Sequence, residues 1–300
     1  MSRETQGTKP LLRVVVLGRG KAGGSLAASC IVAGVDVQLL SGRRPPRSLP
    51  AVDVVFLAVP DDALHAVAAR TQQRLPPSGP ATLLVHLAGS LGSTVLPGPR
   101  VGVFHPLASL DGRTPIPFGS LCAWEASDAR GARLLQQLAK AMGLVPARVR
   151  DADRARYHAG AVVAGNLSVA LLRRGMDLLM AAGVPEAAAR VALGQLLRST
   201  AERAIDRPLG EALTGPVARG DIETIRRHLE VLDREPTDTN DLYRRLGRVL
   251  VEEVAAHDKK VRRRLREALD APPTDRPSTD KPSTTRSRAE PPRKGVRPDQ

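Results

Sequence analysis

Hydrophobic residues along this chain change their rhythm once. Up to about residue 150 they come in short runs, at 14–17, 35–40, 52–59, 82–87, 100–104 and 119–123, separated by helical or turn-forming stretches. Continuous apolar runs of that length read as strands buried on both faces. Their alternation with helical patterns at 22–33, 63–74 and 128–143 predicts a parallel sheet of the α/β class. From residue 153 onward the period is helical, with helices predicted at 153–182, 185–205 and 239–269. The pattern therefore places a flexible N-terminus at 1–11, an α/β domain at 12–150 and an all-α domain at 151–270. Residues 271–300 are Pro, Ser and charge with almost nothing apolar, which predicts a disordered basic tail.

The first strand runs into three glycines, Gly18, Gly20 and Gly23, spaced GxGxxG before the first helix. Each has a physical task. Gly18 lets the chain turn sharply, Gly20 keeps side-chain atoms away from a pyrophosphate, and Gly23 allows the helix to pack closely on the strand. The strand at 35–40 completes a βαβ unit of about 30 residues, the setting that dinucleotide binding requires. Phosphates are expected at the helix N-terminus, beside Arg19, Lys21 and Ala22, where unpaired N–H groups and the positive dipole end favour an anion. A phosphate-binding P-loop is excluded, because Lys21 is not followed by Ser or Thr.

The end of the second strand selects the dinucleotide. An NAD site usually carries Asp or Glu there for the ribose 2'-hydroxyl, whereas NADP sites use Arg for the 2'-phosphate. This chain has Ser41, Gly42, Arg43 and Arg44, with no carboxylate until Asp53, so NADP(H) is the expected cofactor. A solvated basic turn is the competing reading of the two arginines. The stretch 45–51 is too short and too Pro-rich for a helix, which predicts a Rossmann-type sheet lacking its second crossover helix. The third strand then ends at Val59 and Pro60, beside the expected adenosine and ribose.

Composition narrows the class. Three hundred residues with 42% hydrophobic content can bury two ordinary cores. A polar start and the lack of any 18-residue apolar run predict neither a signal peptide nor a membrane span. Cys30 and Cys122 lack CxxC or metal-ligand spacing and read as core residues of a reduced cytoplasmic protein, with no metal site. The net charge of +14 is uneven, since residues 259–300 hold 13 Lys or Arg against 6 Asp or Glu. With six aromatics and no nucleic-acid-binding motif, specific nucleic-acid readout is not expected, although the tail can attract polyanions non-specifically.

Candidate chemistry lies at strand ends and in the first long helix. His105 follows the strand at 100–104 and reads equally as a site residue or a turn residue; His86, inside a strand, reads as a satisfied core histidine. Ser90 follows that strand through Ala88 and Gly89. The helix at 153–182 opens with small residues, among them Ala159, Gly160, Ala161, Ala164, Gly165 and Ser168. A glycine inside a helix costs about 1 kcal/mol relative to Ala, so close approach of a backbone or a ligand is the expected compensation. His158 and Asn166, eight residues apart, stand about 80° apart around an α-helix and share a broad face. A helix-packing seam is the alternative reading. In LTGPVARGD, 213–221, a loop is expected in which Thr214 can cap, Asp221 starts the next helix and Arg219 can bind a carboxylate or phosphate.

The order of these motifs resembles a family of Rossmann proteins with a C-terminal helical domain of unknown function, number 2520. The matching segments are GRGKAGG at 18–24, His105-Pro106, YHAGAVVAGN at 157–166, LTGPVARGD with His228 after it, and DLYRRLGRVL at 241–250. The resemblance spans 12 to about 256. That family is similar in architecture to pyrroline-5-carboxylate reductase, 6-phosphogluconate dehydrogenase and ketopantoate reductase, which implies an NADP-dependent oxidoreductase. His105-Pro106-Leu107 is also similar to the HPM segment beside the substrate of prephenate dehydrogenases. One departure matters. Hydroxyisobutyrate and phosphogluconate dehydrogenases carry a catalytic lysine four residues before a helix asparagine, and here Val162 stands four before Asn166.

The expectation is hydride transfer between NADPH and a small C=O or C=N substrate held between the domains. Its catalytic candidates are His158, His105 and Asn166; its substrate-binding candidates are Ser90, Thr214 and Arg219. The alternative, suggested by the missing lysine, is a non-catalytic NADP(H)-responsive binding or regulatory module. The long helix is apolar around much of its circumference, at Val169, Leu171, Leu172, Leu178, Leu179 and Met180. Since the resembling reductases commonly pair through such domains, a homodimer is expected.

Overall fold

A computed structural model describes residues 12–76, 82–235 and 238–272. The predicted flexible N-terminus and the predicted tail beyond Pro272 lie outside the described residues.

Seven strands form one sheet: β1 Arg13–Leu17, β2 Asp36–Leu40, β3 Val54–Leu57, β4 Leu83–His86, β5 Val101–Pro106, β6 Leu121–Ala126 and β7 Val145–Arg148. Their order is β2-β1-β3-β4-β5-β6-β7, parallel throughout except where β6 runs antiparallel to β5. Alternate residues of β1 enter opposite cores. Val14 and Val16 join α1 (Lys21–Val32) on one face, while Val15 and Leu17 join α2 (Leu64–Gln72) on the other. Burial on both faces is the reason the strand reads as an unbroken apolar run. Leu17 pairs with both Leu40 and Leu57, and Leu57 pairs with His86, so the carboxyl ends of β2, β1, β3 and β4 form one edge. Between β2 and β3 no helix intervenes, and Leu49 and Val52 fill the second core in its place. A third helix, α3 (Ala129–Ala141), joins the α1 face and is capped by Asp128, whose carboxylate accepts from the Gly131 N–H at 2.8 Å.

Helical structure begins with α4 (Arg154–Ala161), continues through a π-helical turn at Val162–Asn166, and runs on as α5 (Leu167–Ala181). Among the described residues no strand follows β7. The chain nevertheless divides into compact units at 1–170 and 171–300, twenty residues later than the expected boundary. The reason is local bonding: Asp151 accepts from the Ser93 hydroxyl at 2.9 Å, and Tyr157 bonds His105, which ties 151–170 to the sheet.

The second unit contains the rest of α5, then α6 (Glu186–Asp206), α7 (Leu209–Ala212), α8 (Pro216–Arg219), α9 (Ile222–Leu232), α10 (Thr239–Val249) and α11 (Lys259–Asp270). Its core gathers Val217, Ile222, Ile225, Leu229, Val251, Leu265 and Leu269. Two expectations are corrected here. LTGPVARGD is not a plain loop, because Gly215 (φ 90°) and Gly220 (φ 67°) bracket the single turn α8; Gly215, not Thr214, takes the N-cap, while Asp221 does cap α9. Nor is 239–269 one helix. After α10 and a π turn at Leu250–Val254 the backbone becomes extended at Ala255, and Asp258 caps a new start. In a straight helix Arg244 and Leu269 would be about 38 Å apart. Here Nη1 of Arg244 donates to the Leu269 carbonyl at 2.7 Å, and Arg248 pairs with Asp270 at 2.7 Å, so α11 folds back and both apolar stripes enter one core.

Candidate functional site

Gly18 takes φ +127°, and a Cβ there would sit 2.0 Å from the Ala58 carbonyl oxygen. A Cβ on Gly23 would sit 1.9 Å from the carbonyl oxygen of Gly18. Packing alone requires both glycines. Gly20 differs, because nothing lies within 4 Å of a Cβ built on it. The packing of the described residues makes no demand for glycine at 20, and the space beside it has room for a phosphate. The first turn of α1, Lys21 and Ala22 included, has neither a side-chain cap nor an acidic residue, so its N–H groups and dipole suit an anion. These residues fit a pyrophosphate.

The turn borders a pocket of about 510 Å³ that also touches Arg19, Ser41, Val59 and Pro60. Arg43 stands on its wall, as does Arg70 from α2, a residue with no distinguishing sequence signal. Arg44 does not line it; its backbone N–H donates to the Ser41 hydroxyl at 3.2 Å. Sequence reasoning also missed a staple on α1. Ser25 Oγ accepts from the Gly112 N–H at 3.1 Å and Ser29 Oγ from the Ile116 N–H at 2.8 Å, while Gly24 leaves room for the Gly112 carbonyl. The segment after β5 is thus fixed against α1.

A second pocket in the same unit, of about 820 Å³, is lined by His105, Tyr157, His158 and Asn166. All three catalytic candidates from the sequence therefore border one cavity. Nδ1 of His105 and the Tyr157 hydroxyl share a hydrogen bond of 2.8 Å, and the His105 and His158 rings meet edge to face with centroids 6.0 Å apart. Gly89 fits between them: a Cβ would lie 2.5 Å from His158 Cδ2 and 2.8 Å from His105 Nε2. Half-buried Ser90 follows directly. Asn166 ends the π turn, so the 80° offset expected from a pure α-helix does not hold. Gly160 and Gly165 border the cavity, and among the described residues no backbone approaches them.

Burial holds the His105 imidazole down to about 4, assisted by His158, Arg154 and His86. It is neutral at pH 7. Burial also pushes the Tyr157 phenol up to about 12, so it keeps its proton. His86 is wholly buried with both nitrogens used: Nε2 bonds the Gly92 carbonyl at 3.0 Å, and Nδ1 accepts from the Ala88 N–H at 3.2 Å. That is the core histidine expected from its place in a strand. Thr214 and Arg219 are exposed residues of the second unit and do not belong to this pocket. Cys30 and Cys122 are buried and unbonded. Among the described residues no cluster of His, Cys, Asp or Glu could hold a metal ion, and no helix is long and apolar enough to cross a membrane.

No curated protein matches the sequence. Solved structures share its fold. Protein TM1727 of Thermotoga maritima is 19% identical with a TM-score of 0.62, covering 85% of this chain and 98% of that one. BF3122 of Bacteroides fragilis, provisionally assigned as an NADP oxidoreductase, is 21% identical with a TM-score of 0.61 over 80% and 98%. Pyrroline-5-carboxylate reductase of Coxiella burnetii is 15% identical with a TM-score of 0.51 over 86% and 96%. Residues 120–250 match the family described as Domain of unknown function (DUF2520), a match that runs from the start of β6 in the Rossmann-type sheet to the end of α10.

Proposed function

We propose that the protein is an NADP-dependent oxidoreductase that moves a hydride between NADP(H) and a small C=O or C=N substrate. The observation that carries this reading is the presence, in one unit, of a glycine turn fitting a pyrophosphate and a separate pocket bordered by His105, His158 and Asn166. When bound, the cofactor supplies the hydride. The start of α1 holds the pyrophosphate, and Arg43 with Arg70 binds the 2'-phosphate. Neutral His105 fixes Tyr157 and does not deliver a proton as an imidazolium at neutral pH. His158 moves the proton, and the Asn166 amide orients the substrate's reacting oxygen or nitrogen. Two buried free thiols support a reducing compartment, the cytoplasm. Uncovered apolar residues on α5 and α6 support a homodimer.

A second reading, an NADP(H)-responsive binding or regulatory module, is favoured by Val162 at the position of the related dehydrogenases' lysine. One assay separates the two. Purified protein is screened with NADPH against oxo acids, imines and cyclic dienes, and the oxidoreductase reading expects substrate-dependent NADPH loss that His158→Ala lowers without weakening NADPH binding. Saturable binding with no oxidation across the panel would overturn it in favour of the module.

A further inference from the structure

A positive charge is sealed beside the His105 pocket. Arg154, the first residue of α4, is 0% exposed, and among the described residues none of its three guanidinium nitrogens has a hydrogen-bond partner. Its strongest charged neighbour, Asp151, is engaged elsewhere. Oδ2 of Asp151 accepts from the Ser93 hydroxyl at 2.9 Å and the Thr94 N–H at 3.4 Å, while Oδ1 is buried without a partner. A structural arginine uses its rigid fork to satisfy acceptors, and burying a cation without them is unfavourable. Nothing in the packing of the fold accounts for a guanidinium here.

Its surroundings do. Tyr157 lies one turn along α4, and Cys122 and Glu125 of β6 are among the groups that act electrostatically on the guanidinium. His105 pairs with Ala123 of β6, the residue after Cys122, and His86 lies one strand further along the sheet. The charge acts on both strand histidines in the same sense, opposing a proton. At His105 it adds to burial and to His158 and His86; at His86 it adds to burial and works against the Gly92 carbonyl, Asp61 and Asp151.

We propose that Arg154 is a positioning residue of this pocket, whose sealed charge sets a fixed positive potential over the ends of β4 and β5, so that the pocket favours negative charge on the group it binds over a second positive charge on the protein. This deepens the oxidoreductase reading and rests on it for its use: hydride addition to a C=O carbon leaves the negative charge on oxygen until a proton arrives. The potential itself is independent of that chemistry.

The test is an NMR titration of the six histidines in the full chain, without cofactor or substrate. Arg154→Gln and Arg154→Met remove the charge in two shapes, and Arg154→Lys keeps it. Both neutral variants should raise the His105 and His86 midpoints together, by about half a pH unit or more, while the Lys variant stays near wild type. Unmoved midpoints, movement of only one histidine, or a Lys variant that shifts as far as Gln would overturn the proposal. So would failure of both neutral variants to fold, since the guanidinium would then be structural. Because no NADP or substrate is involved, a negative turnover screen leaves this result intact, and unmoved midpoints leave cofactor binding intact.

Discussion

The Tyr157 hydroxyl lies 2.8 Å from Nδ1 of His105, a single bond that joins helix α4 to strand β5 and draws the helix start into the sheet unit. Replacing Tyr157 with Phe keeps the ring contact, with centroids 5.6 Å apart, and deletes the bond. A hydrogen bond of this kind contributes about 1 kcal/mol net. Urea unfolding of Tyr157→Phe should show a loss of about that size, and turnover should fall while NADPH affinity is kept. A variant equal to wild type in both stability and turnover would remove the pair from the site.

The depressed His105 value carries a stability consequence. Between the ordinary 6.5 and the folded value of about 4, the unfolded chain binds a proton at this position and the folded chain does not. The unfolded state therefore gains as pH falls through that window, and stability falls with it, by at most about 3 kcal/mol for this one group. Above 6.5 the term is constant. Unfolding free energies at pH 7 and pH 5 should differ more for wild type than for His105→Gln; an equal difference in the two proteins would show that His105 titrates normally.

The three turn glycines should separate when mutated. Gly23→Ala drives a methyl into the Gly18 carbonyl and Gly18→Ala drives one into Ala58, so both should be strongly destabilised or fail to fold. Gly20→Ala meets nothing among the described residues and should melt near wild type. If phosphates approach there, its NADPH affinity should nevertheless drop by about tenfold or more, the equivalent of one weakened charge-assisted bond. Unchanged affinity, measured by calorimetry, would mean that no phosphate approaches position 20.

The arginines at the end of β2 now have different expectations. Arg43 lines the pocket beside the glycine turn together with Arg70, whereas Arg44 does not line it and its backbone N–H bonds the Ser41 hydroxyl. Arg43→Ala should weaken NADPH by about tenfold or more while leaving NADH nearly unchanged, since a charge-assisted bond to a phosphate contributes about 1.5–3 kcal/mol. Arg44→Ala should affect both cofactors little. Equal losses of NADPH and NADH in Arg43→Ala would reduce that arginine to general positive charge.

What the sequence discloses follows from the range of the interactions involved. Gly23 is legible because its demand arises within one βαβ unit, Gly18 because the GxGxxG spacing marks it although its neighbour Ala58 lies beyond β3, and Asp221 because a cap binds an N–H three residues on. Grouping His105, His158 and Asn166 in one pocket required the strand end and the helix start to meet across about 50 residues, and only the resemblance placed them together. Tyr157 has no signal of its own beyond its place in the 157–166 segment, and Arg154 is indistinguishable in sequence from the many surface arginines. The break at Ala255 left no Gly or Pro to announce it, since two helices with matching apolar stripes continue the same period on either side.

The last expectation concerns assembly, and it rests on two helices that the described residues cover only in part. None of the 15 residues of α5 is buried, and among the 21 of α6 only Ala189 is. Gly175 lets Leu193 approach, its Cβ position lying 3.1 Å from Leu193 Cδ1, but the outward residues Leu171, Val191 and Leu196 remain 43%, 56% and 58% exposed. Helices of this length draw most of their stability from burying an apolar face, which these do only in part against the described residues of one chain. A second copy offers the same surface, and a twofold axis would lay the two patches against each other. Light scattering at micromolar concentration should give about twice the 31.9 kDa chain mass. Leu196→Glu, which would bury an unpaired charge in such an interface, should weaken association by about 30-fold or more, corresponding to roughly 2 kcal/mol. A wild-type mass of one chain across that concentration range would refute the dimer and require another cover for α5 and α6.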